Sequence, residues 1–101
     1  MVGSNVENFI RDLSVDKAFL GADAVDIEHG ITNATFSEVT IKQQIIESAK
    51  ETFLVADHTK FGRTSLVNVA DLRQVEYLIT DNKIKQKTVN KLEKLGIWVE
   101  H

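Results

Sequence analysis

Phe53-Leu-Val-Ala-Asp-His-Thr-Lys-Phe-Gly62 is a short apolar run that stops abruptly at charge and glycine, and the reading of the whole chain hangs on it. Phe53 to Ala56 has the length of a strand buried in a parallel sheet, and a helical pattern precedes it. Asp57 then stands where a strand ends. Ligands of open parallel sheets bind outside the carboxyl ends of the strands, so Asp57, His58, Thr59 and Lys60 occupy the place where recognition or chemistry is expected.

Immediately upstream, Thr35-Phe-Ser-Glu38 has the spacing of a capping box and opens a helix expected to run to about Lys50. At about 100° per residue, Ile41, Ile45, Ile46 and Ala49 share one stripe. Glu38 and Lys42 fall inside that stripe. They form either an exposed i,i+4 pair overhanging the sheet or a charged pair aimed at the crevice beside Asp57 and Lys60. Further upstream, Lys17-Ala-Phe-Leu20 reads as a strand closed by Gly21-Ala-Asp23, and Val25 to Ala34 as a long loop. Ser4-Asn-Val-Glu7 reads as a capping box at the head of a helix ending near Leu13, with Val6, Phe9, Ile10 and Leu13 on one face.

Downstream, Phe61-Gly-Arg-Thr-Ser65 is a turn, Leu66 to Ala70 a strand-like segment and Asp71 to Val75 a single helical turn. Glu76-Tyr-Leu-Ile-Thr80 is a third buried strand closing on Asp81-Asn82. Gln86 to Leu95 is a last helix with Val89, Leu92 and Leu95 inward, ended by Gly96, and Ile97-Trp-Val99 is the final strand. Helices alternating with apolar strands argue for a parallel sheet with right-handed crossovers.

Length and composition bound what such a domain can do. A chain of 101 residues, 43% hydrophobic and 27% charged, makes one compact domain. A net charge of -3 gives no broad basic surface for a polyanion. The absence of cysteine excludes disulfides, thiolate catalysis and Cys-ligated zinc. No apolar run reaches the roughly 18 to 20 residues of a membrane helix, and the start lacks the pattern of a secretion signal. A cytoplasmic address is the expectation, with no membrane partner.

Three strand ends carry polar groups: Asp23 with Asp26, Asp57 with Lys60, and Asp81 with Asn82. Acids after strands are common as turn formers, and Asp81 reads as the cap of the turn into the last helix. His29 and His58 have no HxH or HExxH spacing and no sequence-visible ligand cluster, so no metal or other cofactor is expected. Ser65 lies in no nucleophile elbow, and no glycine-rich phosphate cradle is present.

Four pieces taken together, Asp16-Lys-Ala-Phe-Leu-Gly-Ala-Asp23, Glu28-His-Gly-Ile-Thr32, Glu38 with Lys42, and Ala56-Asp-His-Thr-Lys-Phe-Gly62, resemble the C-terminal effector-sensing domain of DeoR-family transcriptional regulators. The resemblance implies a small three-layer Rossmann-like α/β domain, with a mostly parallel sheet of about four strands, that forms part of a larger sensing domain. It further implies binding of a phosphorylated sugar without turnover, at Asp23, Glu38, Lys42, Asp57 and Lys60. In this reading Lys42 and Lys60 meet phosphate or sugar oxygens, Asp57 holds Lys60 or a hydroxyl, and Asp23 accepts from a hydroxyl. DNA is reached only through a winged helix-turn-helix outside these residues, and residues 1–101 are a single, partial effector-binding domain. A homo-oligomer is expected, because a truncated sheet leaves apolar surface uncovered.

The alternative is a sugar-phosphate isomerase-like fragment, since Ala18 to Asp26 and Ala56 to Lys60 also resemble ribose-5-phosphate isomerases. In those enzymes an acid stands before the glycine where this chain has Leu20. The glycine-rich run before their helix is replaced here by Ile31-Thr-Asn-Ala-Thr35.

Overall fold

The computed structural model describes residues 15–101. The helix expected between Ser4 and Leu13 lies outside the described residues. In chain order the elements are β1 (Val15–Gly21), β2 (Ala24–Asp26), β3 (Gly30–Asn33), α1 (Val39–Ser48), β4 (Ala49–Val55), a 3-10 turn (His58–Lys60), β5 (Val67–Ala70), a second 3-10 turn (Leu72–Gln74), β6 (Tyr77–Ile79), α2 (Gln86–Lys94) and β7 (Trp98–Glu100). Four strands form a sheet in the order β1-β4-β6-β7, every pair parallel. This is the expected mixed α/β architecture.

Each step across that sheet goes the same way, from β1 to β4 to β6 to β7. Right-handed crossovers taken in one direction deposit their connections on one face. Ala18 and Leu20 of β1, Thr52 and Leu54 of β4 and Leu78 of β6 point to that face and are buried. Ile46 of α1, Leu92 of α2 and Val67, Val69 and Leu72 of the β4–β6 connection join them in one core cluster. Fully burying a leucine contributes about 1.5–3 kcal/mol, so Leu54, Leu78 and Leu92, each 1% exposed, anchor the layer.

The opposite face is different. The ladder register sets Phe19 beside Phe53, Phe53 beside Tyr77 and Tyr77 beside Trp98. The result is one aromatic row across all four strands. The first three rings stack, with centroids 4.7 Å apart for Phe19 and Phe53 and 4.4 Å for Phe53 and Tyr77. Phe19 is 60% exposed and Trp98 66%. Among the described residues, nothing covers this face.

The sequence reading of Val25 to Ala34 as loop is corrected by the structure. The segment contributes β2 and β3, which pair antiparallel with each other and, through β3, with β5. β3 is buried along its whole length, polar Thr32 and Asn33 included, so it lacks the alternation that marks a half-exposed strand. Gly30, at φ +80°, starts it. A Cβ there would lie 2.4 Å from the Ala70 carbonyl oxygen, so only glycine lets β3 approach β5 this closely.

The capping box expected at Thr35 also does not form. The Val39 N–H goes to the Phe36 carbonyl, the Thr35 hydroxyl meets that of Ser37 at 3.1 Å, and Glu38 stands at the N-cap without a capping bond from its side chain. A box forms instead at the second 3-10 turn, where Asp71 accepts from the Arg73 N–H and Gln74 from the Asp71 N–H. The final helix ends as expected, with Gly96 at φ +87°.

Candidate functional site

Strand register builds the site. Gly21, Val55 and Ile79 are neighbours across β1, β4 and β6. Asp23, Asp57 and Asp81 each stand two residues past one of those positions. Three carboxylates therefore line the carboxyl-terminal edge of the parallel sheet, where the fold leaves a crevice.

Asp23 is tied to the exit of β3: its Oδ2 accepts from the Ala34 N–H at 2.8 Å. Asp57 caps the first 3-10 turn, accepting from the Thr59 hydroxyl and from the Thr59 N–H. Those bonds favour the charged carboxylate and hold Asp57 below its ordinary pKa, the hydroxyl contributing most and nearby Lys60 adding to the effect. Lys60 closes the same turn through its N–H to the Asp57 carbonyl, and its ammonium has no ion-pair partner among the described residues.

The pair on α1 separates into two environments. Lys42 is drawn inward, its side chain only 16% exposed, while Glu38 remains 66% exposed. Lys42 Nζ donates to the Gly21 carbonyl at 3.0 Å and lies 3.6 Å from the Glu38 carboxylate. The Asn33 amide, oriented so that its nitrogen donates to the Thr32 carbonyl, turns its oxygen to Lys42 Nζ at 3.0 Å. Lys42 thus ties α1, β1 and β3 together and has most of its donor capacity engaged. Glu38 and Lys42 line a cleft of about 340 Å³ beside Gly21. Asp57 lines a separate one of about 230 Å³ with Asp81. The structure therefore brings Glu38 together with Lys42 and sets Asp23 and Asp57 in one row, without enclosing all five expected residues in a single cavity.

Sequence reasoning missed Asn33 and the pairing of His58 with Asp81. Asn33, 2% exposed, meets Lys42 from a strand that had read as loop. His58 joins Asp81 across β4 and β6: both its N–H, at 3.1 Å, and its Nδ1, at 2.8 Å, reach Asp81 Oδ2. Asp81 also accepts from the Lys83 N–H at 2.9 Å, so it does cap the turn into α2. With the His58 bond as the leading cause, its pKa falls from 3.8 to about 2. Ligand atoms of Asp57, His58 and Asp81 lie within 4.8 Å of one another, a grouping that sequence spacing cannot reveal because 23 residues separate His58 from Asp81. His29 behaves as expected of a loop histidine, pairing with Asp26 at 2.8 Å on the surface.

No helix among the described residues is long and apolar enough to cross a membrane. The sequence model described as the DeoR C-terminal sensor domain matches residues 1–82. The HTH-type transcriptional regulator GlpR of Haloferax volcanii is 34% identical over 98% of this chain and 39% of its own length. The glycerol-3-phosphate regulon repressor of Haemophilus influenzae is 38% identical over 92% of this chain and 36% of its own. For the HTH-type transcriptional repressor GlcR of Bacillus subtilis the figures are 35%, 96% and 37%. The chain thus spans less than two-fifths of the length of these relatives, which are named as regulators and repressors rather than enzymes. It belongs to the DeoR C-terminal sensor domain family.

Proposed function

We propose that this chain is the effector-sensing portion of a cytoplasmic, DeoR-family repressor of sugar metabolism. It binds a phosphorylated sugar, and the binding controls a helix-turn-helix DNA reader outside these residues. The observation that carries the reading is the edge itself: Asp23, Asp57 and Asp81 in one row past the ends of β1, β4 and β6, with Lys60, which has no ion-pair partner among the described residues, beside them and Lys42 with Glu38 beside Gly21. Carboxylates accept from sugar hydroxyls, and lysines supply charge for a phosphate. The fixed Asp23 and Asp57 carboxylates are pre-oriented by backbone N–H groups, so little order is lost on binding. The same reading has the chain self-associate through its bare aromatic face.

Thermal unfolding with a panel of sugar phosphates tests the ligand class. A ligand at a hundred times its Kd stabilises by about 2.7 kcal/mol, on the order of 10 °C for a domain of this size. The expected result is a saturating rise in Tm with at least one sugar phosphate, exceeding that with the unphosphorylated sugar, and its loss in Asp23→Asn and Lys60→Gln. A panel without any such rise overturns the reading.

A further inference from the structure

The three carboxylates of the edge are not equally free. Asp81 Oδ2 accepts from the His58 N–H at 3.1 Å and from His58 Nδ1 at 2.8 Å, while its Oδ1 accepts from the Lys83 N–H at 2.9 Å. A carboxylate has about four lone-pair sites, so the protein itself nearly saturates Asp81. Asp57 and Asp23 differ. Each receives hydrogen bonds on one oxygen, Asp57 on Oδ1 from Thr59 and Asp23 on Oδ2 from the Ala34 N–H, and the other oxygen has no hydrogen-bond partner among the described residues.

The bonds that Asp81 accepts from His58 end on the first residue of the 3-10 turn that follows Asp57 and closes with Lys60. An ionised carboxylate only accepts, so His58 Nδ1 carries the proton of its bond. Gripping the backbone N–H and the ring together fixes both the path of the chain and the side-chain rotamer at that residue. Beyond the turn, the Gly62 N–H donates to the Val25 carbonyl at 2.9 Å. The turn is therefore clamped at the exit of β6 on one side and to β2 on the other. Asp57 and Asp81 line one cleft, whereas His58 lines a separate one beside Ile84 and Thr88.

We infer that Asp81 and His58 are positioning residues of the effector site: together they hold the turn that presents Asp57 and Lys60, and ligand contact is left to Lys60 and the open oxygens of Asp57 and Asp23. Groups locked in place before the ligand arrives lose less freedom on binding, and that is what the clamp supplies. The ligand side of the inference rests on the sugar-phosphate reading, but the clamp is testable without any ligand.

Amide hydrogen exchange of the full chain, followed by NMR, tests the clamp. Titrations with ribose-5-phosphate, glucose-6-phosphate and fructose-6-phosphate test what it does for binding. In His58→Leu and in Asp81→Ala the Thr59 and Lys60 amides are expected to exchange at least tenfold faster, while the core amides of Leu54 and Leu78 keep their rates. Each variant is expected to bind the best of the probes at least fivefold more weakly. His58→Asn, whose side-chain nitrogen can stand in for Nδ1 as a donor to Asp81, is expected to keep both the slow exchange and an affinity within twofold of the parent. The double variant His58→Leu/Asp81→Ala should bind no more weakly than the weaker single one, because both changes break the same clamp. Unchanged exchange at Thr59 and Lys60 overturns the inference whatever the ligand does. So do variants that loosen the turn yet bind as the parent does, and so do losses that add in the double variant, which put one of the two residues on the ligand itself. A turn loosened as expected in a chain that binds no sugar phosphate upholds the clamp and overturns the sugar-phosphate reading.

Discussion

The two faces of the parallel sheet are built from alternate residues of the same strands, and their chemistry diverges at every step. On one, Ala18, Leu20, Leu54 and Leu78 sit under α1, α2 and the small antiparallel sheet. On the other, Phe19, Phe53, Tyr77 and Trp98 form a row that, among the described residues, is only partly covered. The covered face is aliphatic except for Thr52. The bare face is aromatic, with polar groups worked in at its fringe: the Tyr77 hydroxyl donates to Glu51 at 2.8 Å, Trp98 Nε1 to Glu100 at 3.3 Å, and Lys17 Nζ lies 5.9 Å from the centre of the Phe53 ring. Aromatic side chains with a polar handle suit a surface that is wet in one state and covered in another. The difference teaches that burial in this fragment follows crossover direction: hydrophobic residues abound on both faces, but the connections all land on one.

The sharpest way to break that comparison is to truncate neighbours that point opposite ways. Leu54→Ala removes a side chain 1% exposed at the centre of the core and is expected to cost about 2–5 kcal/mol. Phe53→Ala, one residue away, removes a half-buried ring stacked between Phe19 and Tyr77 with Lys17 over it, and should cost less than half as much despite its greater volume. Urea unfolding with both midpoint and slope recorded measures the pair. Equal losses would mean that the aromatic face is covered in solution.

A smaller effect is expected at the rim where the faces meet. Asp81, with its pKa lowered to about 2 chiefly by His58, favours the folded state while ionised. Its folded value lies below the ordinary 3.8, so the contribution is complete above that value and disappears as pH falls toward 2. In Asp81→Asn the acid limb of stability against pH should be shallower between pH 4 and pH 2 than in the parent chain. Parallel limbs would show that the His58–Asp81 bond does not persist in solution.

The covered face was largely legible in the sequence and the site only in part. Strands β4 and β6 announce themselves as apolar runs stopped by Asp57 and Asp81, and α2 by Val89, Leu92 and the closing Gly96, because local pattern suffices for elements buried on one side. β2 and β3 were hidden: the long-range pairing with β5 buries Thr32 and Asn33 completely, and nothing local distinguishes those residues from loop. The aromatic row escaped notice for a related reason. Phe19, Phe53, Tyr77 and Trp98 are far apart in sequence and become neighbours only once the register is fixed. Within the site, Asp23, Asp57 and Asp81 could be placed at strand ends, but the inward turn of Lys42 depends on Asn33, and the His58–Asp81 bond on adjacency of β4 and β6.

The smallest change in folding stability is expected on the outer strands of the bare face, and it tests what that face is for. Phe19→Ser and Trp98→Ser remove rings that are 60% and 66% exposed, so each should leave monomer stability within about 1 kcal/mol of the parent chain. Association should respond far more, because a contiguous aromatic row shielded from water in a self-complementary contact loses apolar burial on both partners at once. Sedimentation velocity over a concentration series is expected to show the parent chain forming a dimer or larger species and the double variant remaining monomeric, at nearly unchanged urea midpoint. A parent chain that stays monomeric throughout the series would refute self-association. A parent that associates equally well with both rings removed would place the contact on another surface.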